Sequence, residues 1–451
     1  MDPAAQHTRR EIGRIAWPVS AEAVIQLVLS LLNQVIVGTL GTAAIAAVGL
    51  ANNALFIGIL CLNVLGSGCS ILASKAHGRG DERELAQIAT FSILLAVALA
   101  LLLALPLALF GTPLLRLVGA APEVAAIGGP YLSRYALALP FITASVVMAS
   151  TFRTVGQARL PLVVTLATLT LTPPLAWVFV TRLGWGADGA AWAIVGPQVL
   201  RAGLLAAFLL LGRHGVRFRW PNLVRGRATL RELLPLTLPL FITEIVFSGG
   251  VFLFALIAQR AGTAQLAAFQ IVSTLENIFV VGAVGFNAAA TILTARAIGQ
   301  ADARAVWRWS GQVWRFGVLV AVGLGLLFGL CALLVPRLFP DTAPEVQRLA
   351  VWGALANAVF MPVKVSNMIG FGVLASGGDT RYLLLSDVVT VMLVGLPAAW
   401  LLAFGLDLGL WGVFLGRLLG EETVRLWMLL GRYRTGVWFK LAPGGKRARA
   451  G

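Results

Sequence analysis

The chain has 451 residues, of which 59% are hydrophobic and only 12% charged, with a formal net charge of +16. Soluble domains carry about 45–50% apolar and about 25% charged residues, so this chain lacks the charge to cover a water-facing surface of its size. A soluble enzyme, a nucleic-acid-binding domain and a secreted disulfide scaffold are excluded, and the basic excess is read as loop topology.

Apolar windows of the length that crosses a bilayer, about 20 residues, recur twelve times. They fall near residues 15–38, 44–70, 88–110, 130–151, 160–180, 189–211, 235–258, 264–290, 313–335, 351–374, 382–404 and 408–430. None shows the period-2 alternation of a membrane strand. The first run follows a polar, basic N-terminus and is too long for a signal sequence, so it is expected to stay as the first span.

Each span brings a few polar groups, and an ionisable group at membrane depth costs several kcal/mol unless it is paired or faces a cavity. The first span holds Pro18, Glu22, Asn33 and Gln34, and the second Phe56 with Cys61 and Cys69. Pro140 lies in the fourth. Pro173 and Pro174 in the fifth form the clearest candidate hinge. The seventh span repeats the pattern of the first with Pro239, Glu244 and Phe247; the eighth contains Glu276, Asn277 and Phe279. Lys364 follows Pro362 in the tenth span, and Asp387 lies in the eleventh.

Glu22, Glu244, Glu276, Lys364 and Asp387 are thus the candidate cation- or proton-coupling residues, each with a structural alternative as a fixed ion pair or interfacial group. Glu276 has no basic neighbour in sequence, and a carboxylate in low dielectric can exchange a proton near neutral pH. A lone ammonium at the depth of Lys364 needs an anion, and Glu276 and Glu244 are the available ones. Asn33, Gln34, Asn277, Phe56, Phe247 and Phe279 are candidates for substrate contact, against ordinary roles in helix packing. In the twelfth span the spacing of Arg417, Glu421, Glu422 and Arg425 reads as a charge-compensated helix face. His7, His77 and His214 all fall in predicted cytoplasmic segments, so no catalytic triad and no metal site are expected.

Lys and Arg in alternate loops divide 25 to 5, with the larger number on the side of the N-terminus. Both termini are therefore expected in the cytoplasm, as an even number of spans also requires. The chain is also internally duplicated. SILASKAHGRGD (70–81) aligns without gaps on TILTARAIGQAD (291–302), and GTAAIAA (41–47) on GTAQLAA (262–268). Pro18 and Pro239 keep the same offset; Pro122, Glu123 and Val124 align on Pro344, Glu345 and Val346, and Pro140 on Pro362, one residue further apart. The expected units are 1–211, an Arg-rich cytoplasmic linker 212–232, and 233–451 with a short basic tail. Halves with an even number of spans share one orientation, the parallel-repeat arrangement of many secondary transporters. No P-loop or channel filter is present.

The stretches AWPVSAEAVIQLVLSLLNQVIVGTLGTAAIAAVGL, SILASKAHGRGD, YLSRYALALPF, FMPVKVSNMIGFGVLASGGDTRY and RLLGEETVRLWMLLGRYRTGVWF resemble the multidrug and toxic compound extrusion (MATE) family over nearly the whole chain. The resemblance implies an all-α integral membrane protein: twelve helices in two six-helix bundles, V-shaped around a central cleft. It implies a secondary active exporter of cationic or amphipathic organic compounds, driven by inward H+ or Na+. The expected setting is a monomer in the bacterial inner membrane, with a small organic substrate, no nucleic acid, no cofactor and no enzymatic activity. A lipid-linked precursor flippase or another organic-solute carrier of the same superfold is the alternative, which would want a more cationic cavity than Lys364 and Arg201 provide. The chain departs from the family's pattern at its usual cation carboxylates. Asn33 stands where many members have Asp, the fifth span has no acid, and Phe247 and Lys364 stand where some members have Glu and Asp.

Overall fold

The computed structural model describes residues 3–117, 119–212 and 223–441. Linker residues 213–222 and the tail from Ala442, with His214 and the side chains of His7 and Cys61, lie outside the described residues. All regular structure among the described residues is helical, as apolar sequence in lipid requires when backbone groups must be satisfied within one segment.

The long helix α1 (Pro3–Gly38) is followed by α2 (Thr42–Gly78) and α3 (Glu82–Leu117). Next come α4 (Pro122–Ala136) and α5 (Leu139–Thr154), two apolar helices bent by 42° where Pro140 enters the second of them. The fifth candidate span is composite: α6 (Arg159–Leu169), α7 (Thr172–Trp177) and a π-helical turn, π1 (Val178–Arg182), then α8 (Gly186–Leu211). Pro173 and Pro174 open α7, where prolines of the first turn sacrifice no helical hydrogen bond.

After the linker, α9 (Leu223–Ala261) leads to α10 (Thr263–Val281) and α11 (Val284–Gly299), together one apolar stretch. Then follow α12 (Ala303–Ala332), the short α13 (Val335–Leu338), and the pair α14 (Pro344–Val359) and α15 (Met361–Gly377), bent by 50° at Pro362. The last two spans alternate between helix types. One is α16 (Thr380–Asp387), π2 (Val388–Gly395), α17 (Leu396–Trp400) and π3 (Leu401–Gly405); the other is α18 (Leu410–Leu415), π4 (Gly416–Thr423) and α19 (Val424–Thr435).

Among the described residues, nine helices are long and apolar enough to cross a membrane, and the two bent pairs bring the number to eleven. The remaining window, 408–430, is helical from Leu410 to Thr435 but carries Arg417, Glu421, Glu422 and Arg425 inside it.

Positions matched by the duplication take the same local structure. Gly41 and Gly262 precede α2 and α10 with φ of 97° and 142°, a backbone region that glycine alone enters cheaply. Asp81 Oδ1 accepts from Glu84 N at 2.8 Å to cap α3, and Asp302 Oδ1 accepts from Ala305 N at 3.0 Å to cap α12. Pro122 and Pro344 are each the first residue of their helix.

The described chain forms two compact units, Ala21–Leu234 and Met1–Ser20 with Pro235–Gly451. The division at the start differs from the duplication boundary: residues 1–20 pack with the second half. Ser20 Oγ accepts from Gly285 N at 3.1 Å, and Gly285 lies so close to the Ala16 carbonyl that a Cβ there would meet its oxygen at 1.9 Å. In the first of these units α2 packs on α3, α4 and α5 around Leu55, Leu115, Tyr131 and Leu132. In the other, α10 packs on α14, α11 on α15, and π2 on π4.

Lipid offers helices no hydrophobic gain for associating, so close contact of small residues carries the packing. At Gly416 a Cβ would meet Ala399 Cα at 2.4 Å, and at Gly412 it would meet Ala403 N at 2.3 Å. That approach seats π4 against α17, with its three charged residues, Arg417, Glu421 and Glu422, in the interior.

Candidate functional site

Three groups of ionisable side chains are buried within the helices, one in the unit Ala21–Leu234 and two in the other. In the unit Ala21–Leu234, Glu22 of α1 is 2% exposed. Its Oε1 accepts from Arg201 Nη2 of α8 at 2.7 Å and from Thr165 Oγ1 of α6 at 3.0 Å, while Oε2 accepts from Arg153 Nη2 of α5. One carboxylate thus answers two guanidinium groups.

The other unit holds a larger assembly, built from four helical elements. Glu276 of α10 is buried, and Lys364 Nζ of α15 donates to its Oε1 at 2.6 Å. Arg417 of π4 donates from Nη1 to Oε2 at 3.0 Å and from Nη2 to Oε1 at 3.2 Å. This two-pronged geometry is the one a guanidinium makes with a carboxylate. Lys364 Nζ also donates to Asn357 Oδ1 at 2.6 Å, and Asn357 Nδ2 in turn donates to the Gly353 carbonyl, so α14 joins the network. With two cations on one anion, the trio carries one net positive charge.

The same unit carries a second group of opposite sign. Arg425 of α19 lies 2.9 Å from Asp387 Oδ1 and 3.0 Å from Glu421 Oε1. Glu422 accepts from Asn367 Nδ2 of α15 at 2.7 Å. Asp387, Glu421 and Glu422 are buried and near enough to repel one another, and Glu244 of α9 feels Asp387 in the same way. The Glu244 side chain makes no ion pair or hydrogen bond among the described residues. Five carboxylates in this unit's spans therefore face three cations, Lys364, Arg417 and Arg425. Two buried oxygens beside them, Asn367 Oδ1 and Thr390 Oγ1, have no hydrogen-bond partner. Among the described residues no three His, Cys, Asp or Glu side chains converge as a metal centre would need.

The structure joins Lys364 to Glu276 and places Asp387 on Arg425, but leaves Glu244 apart from both pairs. Of the residues proposed for substrate contact, Asn33 is buried with Oδ1 unpartnered, whereas Gln34 and Asn277 are exposed. Phe56 is 58% exposed, and Phe247 carries the Arg425 guanidinium over its ring at 5.8 Å. Phe279 is in the hydrophobic core, stacked on Phe328 at 4.8 Å between ring centres.

The charge-compensated face expected in the twelfth span is only half formed. Arg425 pairs with Glu421 one turn back, but Arg417 leaves its own helix for Glu276 because the π-helical turn between them shifts the register of the face. The signal that could have singled out Glu421 and Glu422 was the crowding of four charges within one apolar window.

The MatE family model matches residues 18–178 and 239–401. A probable multidrug resistance protein NorM of Agrobacterium fabrum is 28% identical, over 90% of this chain and 89% of its own length. One of the same description from Thermotoga maritima is 23% identical, over 96% and 94%. Among solved structures, a MATE protein in the straight conformation superposes with a TM-score of 0.87 at 22% identity, covering 96% of this chain and 97% of the other. A MOP superfamily transporter from Pyrococcus furiosus, whose binding pocket of reverse polarity suggests a different function for it, superposes with a TM-score of 0.87 at 21% identity, covering 96% of each.

Proposed function

We propose that this chain, which belongs to the MatE family of multi-pass membrane transporters, exports cationic or amphipathic organic compounds in exchange for protons, by alternating access. The observation that carries this reading is the surplus of buried carboxylates in the unit Pro235–Gly451. Asp387, Glu421 and Glu422 are buried around Arg425, and the half-buried Glu244 has no cation paired with it, while Lys364 and Arg417 are both bonded to Glu276. Uncompensated carboxylates at membrane depth are too costly to stay empty, so they take up protons or a positively charged compound.

A proton suits this group better than a metal cation. Arg425 is a fixed positive charge 2.9 and 3.0 Å from two of the carboxylates, and it repels a bound sodium ion but not a neutral carboxyl group. Proton and cationic compound then compete for the negative charge of Glu244, the carboxylate that has no cation paired with it. Protonation from outside releases the compound, and deprotonation on the cytoplasmic side readies the site for the next one. In this scheme Glu276, Lys364 and Arg417 hold α10, α15 and π4 together beside the exchange site, and do not themselves exchange protons. The NorM descriptions of the relatives support multidrug export as the outcome.

The test is accumulation of a cationic dye such as ethidium in everted vesicles or proteoliposomes, driven separately by a proton gradient and by a sodium gradient. The wild type should respond to the proton gradient, and Glu422→Gln and Glu244→Gln should lose most of that response. Sodium-driven accumulation that ignores both replacements would overturn the assignment.

A further inference from the structure

At the end of α9 remote from the linker, the unit Pro235–Gly451 contains a cleft of about 710 Å³. Its walls are apolar: Leu253, Leu256 and Ile257 of α9 face Met392 of π2 and Leu396 and Trp400 of α17. The polar end is formed by Gln259 and Arg260, both exposed in the last turn of α9. The Arg260 guanidinium lies over the Trp400 ring, 5.3 Å from its centre, and makes no ion pair among the described residues. From Arg260 the apolar wall runs seven residues down the helix to Leu253, which is about 10 Å at the helical rise.

We propose that this cleft binds an anionic phospholipid, its phosphate on Arg260 and part of an acyl chain between α9 and the π2–α17 segment. Three features select that occupant. One unpaired cation at a helix end, beside a tryptophan, is the composition of a membrane–water interface. The depth of apolar wall beneath it accepts a hydrocarbon chain and offers nothing to a soluble anion. The positive charge at the mouth opposes a cationic transported compound, so the cleft is distinct from the exchange site of the same unit. A lipid seated here touches the helix that carries Glu244 and the π-helical segment that follows Asp387, and so braces two elements of the carboxylate group.

The experiment is native mass spectrometry of the detergent-solubilised full chain, titrated separately with phosphatidylglycerol and phosphatidylcholine. The wild type should hold phosphatidylglycerol more tightly than phosphatidylcholine, and Arg260→Ala should weaken phosphatidylglycerol by about fivefold, the usual share of one basic group at a lipid surface, and the zwitterionic phosphatidylcholine by less. Leu256→Trp, which fills the apolar wall without altering charge, should weaken both lipids. Arg182→Ala should change neither: Arg182 also lies over a tryptophan, 4.9 Å from the Trp177 ring centre, but in the other unit and away from the cleft. Equal affinity for the two lipids in the wild type, or phosphatidylglycerol binding unchanged in Arg260→Ala, would overturn the proposal.

Discussion

Two buried glutamates in this chain, Glu22 and Glu276, each pair with two cations, whereas Glu244 pairs with none. The consequence for substitution is opposite in the two cases. Glu22→Gln leaves Arg153 and Arg201 without an anion, and Glu276→Gln does the same to Lys364 and Arg417. Breaking a buried ion pair from one side costs about 3–5 kcal/mol, so both variants should unfold at clearly lower temperature in detergent. Glu244→Gln removes a charge that has no partner and should leave the unfolding temperature unchanged or raise it, while impairing proton-driven transport. Thermal unfolding of the three variants side by side separates the structural carboxylates from the exchanging one. Membrane cost alone was enough to mark Glu22, Glu244, Glu276 and Lys364 in the sequence, and the need of Lys364 for an anion pointed to Glu276 or Glu244, of which the structure joins it to Glu276. Arg417 was not legible in the same way, because Glu276 lies 141 residues away from it and a nearer Glu421 satisfied the helical spacing.

At the scale of elements, the sequence displayed its bends and concealed its π-helices. Pro140 and Pro362 mark the two bent pairs, since a proline inside a span is visible in any window. The π-helical turns π2 and π4 have no comparable marker, yet they flank the carboxylate group, with Asp387 just before one and Glu421 and Glu422 within the other. Such turns recur at functional sites because they rotate side chains off the regular helical face. Here π4 depends on the glycines beneath it. Gly416→Val would drive a branched side chain into the Ala399 backbone and should cost at least about 1–3 kcal/mol by overpacking. Gly431→Ala, on the continuation of the same span with no neighbour within 4 Å, should be neutral or stabilise by about 0.5–1 kcal/mol. Unfolding temperatures of the two variants test whether the close approach at π4, rather than glycine content in general, holds this span. Pro173 and Pro174 sit at the break between α6 and α7; if they act as a hinge, replacing both with Ala should slow transport while leaving the unfolding temperature nearly unchanged.

At the scale of the whole chain, the duplication and the distribution of basic residues are visible in the sequence itself. The matched pairs Gly41 and Gly262, Asp81 and Asp302, and Pro122 and Pro344 do the same work at the starts of corresponding helices. The twelfth span is where apolarity and length disagree, because Arg417, Glu421, Glu422 and Arg425 lower its hydrophobicity. Those charges are buried against α10, α15 and α16 and so need not meet lipid. The segment Leu410–Thr435 is 26 residues long, about 39 Å at the helical rise, enough to cross the hydrocarbon core. Counting it with the nine long helices and the two bent pairs makes twelve, and an even number returns the chain to the side on which it began. On that count Arg116, Arg182, Arg260, Arg337 and Arg348 are expected on the side opposite the N-terminus. An alkaline phosphatase reporter, active only outside the cytoplasm, should therefore be silent when fused after Lys440. The same reporter should be active when fused after Trp185, in the short connection between π1 and α8. Activity at both fusions would mean that the segment 410–435 does not cross, leaving eleven spans and placing the group around Arg425 at the membrane surface, where its carboxylates would need neither a proton nor a partner.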